Sequence, residues 1–365
     1  MKIKLSQAFD LQMGKTPARN NAAYWNGSKK WVSIADIGNS GKYISDTKEC
    51  ITDRGVRESG IKAVPKETVI MSFKLSIGKT AITAEELYTN EAIMAFIDKG
   101  IYAIDPTYFY HLCCGKNWTA GTNKAVMGLT LNKATISGIE INIPDIAEQR
   151  KIAARLDRLD TVIADRQLQL EYLDYLVKSR FIELFGEPQR NPHGYKHIKL
   201  SDIATYYNGL TYKPENIAAE GTIVLRSSNI QNSQLDFADT VRVDCAIKER
   251  LMVQNNDILM CSRNGSAKLV GKVAMIKDIQ EPMSFGAFMM IIRSHYFGYL
   301  MTYFQMDAFR QQIKTGATTT INQITGRMLD DVTIPLPPMA LVDQFAAFVE
   351  QTDKSKLCGK MEVAA

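Results

Sequence analysis

Residues 143–160 read IPDIAEQRKIAARLDRLD, and residues 336–353 read LPPMALVDQFAAFVEQTD. Set against each other at a constant offset of 193 positions, Ile143-Pro144, Ala147, Ala153-Ala154 and Asp160 return as Leu336-Pro337, Ala340, Ala346-Ala347 and Asp353. Two further matches keep the same order. Ile3-Lys4-Leu5-Ser6 returns as Ile198-Lys199-Leu200-Ser201 at offset 195, and Gly78 to Ile82 (GKTAI) returns loosely as Gly271 to Met275 (GKVAM) at offset 193. A repeat this long exceeds a solenoid unit and has the size of a whole domain plus a helix. Two similar domains in one chain imply two similar binding events on one extended ligand.

From the first copy onward the chain carries its clearest periodic signal. Ile152, Leu156, Leu159, Ile163, Arg166, Leu170, Leu173, Val177, Arg180 and Leu184 step by four and three without a break, which is a heptad seam. Pro144-Asp145 supplies the start of a helix and Gly186 with Pro188 the stop. Roughly 40 residues at about 1.5 Å rise make a spacer rod on the order of 60 Å long. The two arginines on the seam fit an exposed edge or a polar contact between helices. After the second copy, Pro337-Pro338 leads into Leu341, Phe345, Phe348 and Thr352, and the pattern fades near Lys356. This predicts a second helix with fewer than half the residues of the first, running antiparallel to it.

The organisation expected is therefore a domain over 1–144, a central helix over 145–187, a second domain over 188–336, and a shortened helix and tail over 337–365. Short strand-like runs (Thr68 to Phe73, Ile139 to Ile143, Thr222 to Leu225, Asp257 to Met260) mix with helical stretches such as Ser294 to Ile313, which favours an α+β class. Gly, Asn, Ser and Thr gather at Met13 to Ser28, Asn39 to Tyr43, Gly121 to Lys124, Asn264 to Lys268 and Thr315 to Thr320, the presumed loops.

Composition admits two real cores, since 365 residues are 45% hydrophobic. No apolar run approaches a membrane span, and MKIKLSQAFDLQMGK lacks the apolar stretch of a secretory signal, so no membrane and a cytoplasmic location are expected. The six cysteines form no CxxC pair and read as buried thiols in a reducing compartment. A net charge of +5 tolerates a polyanionic partner without demanding one.

The catalytic motifs that the chain approaches are incomplete. Ser76-Ile77-Gly78-Lys79-Thr80 ends like a phosphate-binding loop, but Phe73 stands where that motif needs glycine. Asp105-Pro106-Thr107-Tyr108 and Asn191-Pro192-His193-Gly194 only approach the tetrapeptide of amino-methyltransferases, and read as turns. No glycine-rich strand-to-helix turn for S-adenosylmethionine appears, His111, His193, His197 and His295 have no metal-ligand spacing, and no GxSxG serine is present. No catalytic residue, metal or cofactor is expected. What recurs in the loops is Gly, Lys or Arg, Thr, Asn and aromatics: Gly14-Lys15-Thr16-Pro17, Arg19 and Tyr24-Trp25 in the first domain, Asn208 to Lys213 in the second. Such side chains contact phosphates and base edges.

The whole order resembles the specificity subunit of type I restriction-modification systems. The resemblance rests on IKLS followed by GKTP, YW and WVSIADIG, on SFKLSIGKTAI and SRNGSAKLVGKVAMI in matching places, on INIPDIAEQRKIAARLD, and on FIELFGEP. It implies two target-recognition domains joined by long coiled-coil helices. Each would read one half of a split target on double-stranded DNA, with methyltransferase subunits docking on the helices and restriction subunits joining that core. The chain itself would be non-catalytic. A protein-binding scaffold without DNA contact and a fused DNA-modifying enzyme are the competing readings, the second opposed by the missing methyltransferase motifs.

Under this reading the DNA contacts expected are Lys15, Thr16, Arg19, Lys74, Lys79, Asn123 and Lys124 in the first domain. In the second they are Lys213, Arg226, Asn229, Arg263, Asn264, Lys268 and Asn322. The helix-pairing or subunit interface is expected at Ile152, Leu156, Leu159, Ile163, Leu170, Leu173, Val177, Leu184, Phe345 and Phe348. A second helix too short to cover Ile152, Leu156, Leu159 and Ile163 predicts self-association of the isolated chain.

Overall fold

A computed structural model describes residues 1–118, 131–313 and 322–364. The chain forms two compact units, Met1–Ala164 and Asp165–Ala365. In the first, a five-stranded sheet has the order Phe9–Met13, Ile93–Asp98, Val69–Ser72, Thr80–Thr83, Tyr43–Ile44. In the second, a four-stranded sheet has the order Thr205–Asn208, Met289–Arg293, Ile258–Cys261, Val273–Met275. Position by position these are the same four antiparallel strands, with the first sheet carrying one more parallel strand at its edge. Beside each lies a smaller sheet that also repeats, built on the parallel pair Trp25–Val32 with Tyr88–Thr89 and the parallel pair Thr222–Leu225 with Met283–Phe285. The duplication seen as scattered residues in the sequence is thus a duplication of topology.

The central strands are apolar up to their ends at Ser72, Asp98 and Arg293 because both faces are covered. Val69 and Met71 point into one core with Phe9, Phe96 and Phe109, while Ile70 points into another with Val32, Ile44 and Leu87. In the second unit Ile258 and Met260 face Tyr299, Phe304 and Phe309, and Leu259 and Cys261 face Phe285 and Ile291. Alternate side chains of a strand leave opposite faces of a sheet, so a sheet buried on both sides needs no polar positions. The expected strands at Thr68 to Phe73, Ile139 to Ile143, Thr222 to Leu225 and Asp257 to Met260 are observed as Val69–Ser72, Glu140–Asn142, Thr222–Leu225 and Ile258–Cys261. The stretch Ser294 to Ile313 is two helices, Phe297–Tyr303 and Asp307–Gln312, parted where Met306 adopts an extended backbone.

Gly78 and Gly271, paired by the repeat, both adopt left-handed backbone (φ 91° and 82°) in the turn that returns the chain to the sheet. The amide of Gly78 donates to Ser72 O and that of Gly271 to Cys261 O, each at 2.9 Å. The Gly-Lys pairs are therefore hairpin chemistry, which answers the phosphate-loop resemblance. Asp105 likewise caps the helix Pro106–Gly115, its carboxylate accepting from the amides of Thr107 and Tyr108.

The long helix runs Ile146–Phe185, with Asp145 accepting from the Glu148 amide at its start and Gly186 left-handed (φ 75°) at its end. Gln149, fully buried, ties its first turn down: the side chain accepts from the Asp105 amide and donates to Ala103 O and Pro144 O. The first half of this helix therefore belongs to the first unit, where a separate helical piece over 145–187 was expected. Its last turns belong to the second, where Phe181 and Phe185 pack on Tyr299 and Phe345.

The second helix corrects an expectation. It spans Met339–Ala364, 26 residues against 40 in the first, so it is well over half as long. The apolar periodicity does fade near Lys356, but helix propagation adds one hydrogen bond per residue without needing a partner face. Phe345 is buried, and Phe348 is half-buried with the Arg180 guanidinium over its ring at 5.9 Å. Val177 and Leu184 pack on the core and Leu170 and Leu173 are half-buried. Ile152 and Leu156, expected bare, are half-buried, whereas Leu159 and Ile163 are exposed.

Of the cysteines described, only Cys113 and Cys261 are buried; Cys50 and Cys245 are intermediate and Cys114 is exposed. Burial pushes the Cys113 thiol well above its ordinary range. Among the described residues no helix is long and apolar enough to cross a membrane.

Candidate nucleic-acid interface

Register decides which loops meet. In the first unit Met13 pairs with Met94, Ser72 with Ile93 and Met71 with Thr80, so the chain leaves or enters the sheet at 14, 73, 79 and 92 along one edge. Lys15, Thr16, Lys74 and Lys79 all lie there. Gly14 is required at the exit, because a Cβ would fall 2.1 Å from Thr89 O. The next amide, of Lys15, donates to that same carbonyl at 2.8 Å, and the Trp31 indole donates to Lys15 O at 3.0 Å. The Lys15 ammonium bonds Ser59 O, and the Thr16 hydroxyl bonds the Glu91 carboxylate.

Arg19 is placed differently from a free contact. Its guanidinium lies over the Trp25 ring at 3.9 Å and the Trp31 ring at 4.8 Å, and it forks onto the Glu49 carboxylate. Its charge is balanced and its plane held. Lys74 sits half-buried with its ammonium 5.3 Å from the Phe73 ring, and Lys79 is exposed; neither pairs with a carboxylate among the described residues. Asn123 and Lys124 lie outside the described residues.

The second unit has the matching edge. Asn208 pairs with Met290, Cys261 with Met289 and Met260 with Val273, which gathers 209–213, 262–272 and 286–288 at one end of the sheet. Gly209 repeats Gly14: a Cβ would fall 2.1 Å from Gly286 O, and the amide of Leu210 donates to Phe285 O at 2.7 Å. Lys213 is exposed and 3.8 Å from Glu215. Arg263 and Asn264 form a two-residue strand paired with Asn322 and Gln323. The Arg263 guanidinium donates to Gln323 Oε1 at 2.8 Å and lies 5.9 Å from the Phe288 ring. Asn264 accepts from the Ser266 amide and approaches the Ser227 hydroxyl at 3.4 Å. Lys268 is exposed. Asn322 and Arg310 share a cleft of about 170 Å³ with Ala267 and Gly271.

Two expected contacts become framework. Asn229 is fully buried: its Oδ1 accepts from the Arg226 amide at 2.8 Å, and its Nδ2 donates to Asp236 O and Asp239 O, both at 2.8 Å. An amide whose donors and acceptor are spent on the backbone inside the fold does not reach a base edge. Arg226 directs Nη2 to Asp239 at 2.7 Å and holds a buried Nε with no hydrogen-bond partner. In both, the polar side chain shapes a turn, which residue type alone does not separate from a ligand contact. Conversely, Gln323, Phe288 and Arg310 escaped the sequence reading. Gln323 adjoins Asn322, but its pairing with Arg263 links strands 60 residues apart, and an exposed Phe among polar loop residues carries no period.

The helix end of the first unit holds one more polar group. His111 Nε2 is 2.7 Å from Asp157 and its Nδ1 3.9 Å from Asp160, while the Lys42 ammonium lies 2.7 Å from the other Asp157 oxygen. His111, Asp157 and Asp160 could gather round a metal ion. The lysine already neutralises Asp157, so the cluster reads as an ion-pair anchor for the helix.

A family model described as the type I restriction modification DNA specificity domain matches residues 1–172 and again 192–357. The specificity subunit of the type I restriction enzyme MjaIX of Methanocaldococcus jannaschii is 24% identical over 380 residues, covering 95% of this chain and 85% of that one. The specificity subunit of the enzyme EcoKI of Escherichia coli K12 is 28% identical over 178 residues, 45% of this chain and 38% of that one. Among solved structures, a chain from a study of assembly and conformational transition in the type I R-M system superposes with a TM-score of 0.62 at 17% identity, covering all of this chain and 92% of that one. The type I S subunit from M. genitalium superposes with a TM-score of 0.53 at 14% identity over the same shares.

Proposed function

The chain belongs to the type I restriction-modification DNA specificity family, and from that premise we propose that it reads a bipartite target on double-stranded DNA, one half with each of its two sheet edges. Its role is DNA-sequence specificity in a type I complex, and it is a non-catalytic subunit. The observation that supports two-fold reading is the repeated strand order with its loop-bearing edge, Gly14 to Lys79 in one copy and Gly209 to Gly271 in the other. Lys15, Thr16, Lys74 and Lys79 serve the first half-site. Arg263, Lys268 and Asn322 serve the second, and residues 1–144 and 188–336 are the recognition domains.

Methyltransferase subunits dock on the helices and restriction subunits join them. Leu159, Val162, Tyr172 and Tyr175 of the long helix are at least half exposed (57, 50, 63 and 70%), apolar side chains that docked subunits or a second copy would cover. The isolated chain accordingly self-associates, and light scattering over a dilution series tests this: a strict monomer at tens of micromolar refutes it.

The deciding experiment is methylation mapping of DNA from cells expressing the chain with its methyltransferase subunits. A split adenine-methylated motif is expected, and exchange of residues 188–336 for those of a relative should change one half only. Change in both halves overturns independent reading. DNA affinity that does not fall with salt, alone or with the methyltransferase, overturns DNA contact in favour of a scaffold.

A further inference from the structure

The two-residue strands Arg263–Asn264 and Asn322–Gln323 bring together two side chains whose hydrogen-bonding capacity is restricted in one direction. The guanidinium offers donors only. It donates to Gln323 Oε1 at 2.8 Å, which also fixes the amide's orientation, because a guanidinium cannot accept from the NH2 end. The end of Gln323 left for a ligand is Nε2, again a donor. A second bond onto Oε1 from a ligand amino group would set that donor against a positive charge. The pair therefore presents donors in preference to an acceptor, the remaining lone pair of Oε1 lying beside the guanidinium charge.

The charge is available. Arg19 is spent on Glu49 and Arg226 on Asp239, whereas Arg263 makes no ion pair among the described residues. Phe288 lies against it with 59% of its surface exposed, and the amides of Ser262 and Arg263 both donate to Phe288 O at 3.0 Å, fixing that ring beside the strand. An aromatic face under a guanidinium restrains its plane and lowers the cost of directing its fork at one partner.

In the major groove guanine offers two acceptors, N7 and O6, and no donor; adenine offers one of each, cytosine a donor, and thymine one acceptor beside a methyl group. A free glutamine matches adenine through both ends of its amide. With one lone pair of Oε1 taken by the guanidinium and the other set beside its positive charge, that match is weakened. We propose that Arg263 and Gln323 together read a guanine in the half-site of the second unit, an inference that rests on the reading that this unit contacts DNA.

The test is methylation mapping of the complete complex carrying Arg263→Ala, Gln323→Ala or Gln323→Glu, with competition binding of duplexes altered at single positions. The expected wild-type motif holds a required guanine in one half. Each variant should relax that position alone, with roughly tenfold to hundredfold loss of discrimination against other bases. Gln323→Glu, close in size, replaces the donor by an acceptor and should disfavour guanine there; it decides the matter alone if Arg263→Ala fails to fold. A wild-type motif left unchanged by all three variants, or blurred in both halves, overturns the guanine assignment only. Absence of any motif overturns the DNA reading as well.

Discussion

The ammonium of Lys356 lies 2.6 Å from the carboxylate of Asp174. Eleven residues earlier in the same helix, Phe345 packs edge-on against Phe181 and Phe185, which follow Asp174 in the chain. Residue numbers thus rise along one helix as they fall along the other, and the two run antiparallel within the second unit. Asp174 is two-thirds exposed, so the ion pair records the register more than it enforces it.

Phe345→Ala should therefore cost about 3–5 kcal/mol, since it empties a fully buried site between aromatic rings. Lys356→Ala should cost about 1 kcal/mol or less. Urea denaturation of the two variants checks the contrast; equal losses would show that charge, not packing, holds the helix.

Asn229→Ala should destabilise by roughly 1–3 kcal/mol, because it strands the Arg226 amide and two carbonyls. The methylated motif should not change. A shifted base preference at normal stability would restore Asn229 as a contact.

Arg293 forks onto Asp257, Nε and Nη2 each 2.7 Å from a carboxylate oxygen, with Asp257 only 1% exposed. Arg293→Ala leaves that carboxylate buried and unpaired, and a loss of about 3–5 kcal/mol is expected. Thermal melting measures it, and Arg293→Ala with Asp257→Leu should recover part of the loss.

Partial burial acts to raise the pKa of Asp157, but bonds from Lys42 and His111 outweigh it and hold the carboxyl below its ordinary value. A folded pKa below the unfolded one contributes stability that is present above the unfolded pKa and lost as pH falls through the folded one. Asp157→Asn should flatten this part of the acid limb, below the usual carboxylate pKa near 4, in a pH series of melts.

Lys74→Ala, Lys79→Ala and Lys268→Ala should weaken binding to all DNA sequences alike and each lower the salt slope by about one. Fluorescence anisotropy across salt concentrations reads both. A change confined to one sequence would make that lysine a base reader.

Much of the fold was legible because it rests on local periodicity. The steps of four and three from Ile152 to Leu184 foretold a helix found at Ile146–Phe185, bounded by Asp145 and Gly186 as their chemistry requires. The second helix was underestimated because its seam fades while its backbone continues to Ala364. The candidate contacts were legible by type and not by position. Lys15, Lys74, Lys79, Arg263 and Lys268 do reach the loop edges, but Asn229 and Arg19 share their chemistry and are spent within the fold.

By itself the sequence determined the duplication and the long helix with its stop at Gly186, since each depends on neighbours a few residues apart or on identity at a fixed offset. Tertiary structure alone decided which polar side chains remain for a ligand. Hydrogen-bonding capacity is finite, and whether Gln323 offers one end of its amide or both depends on Arg263, 60 residues away in the chain and 2.8 Å away in space.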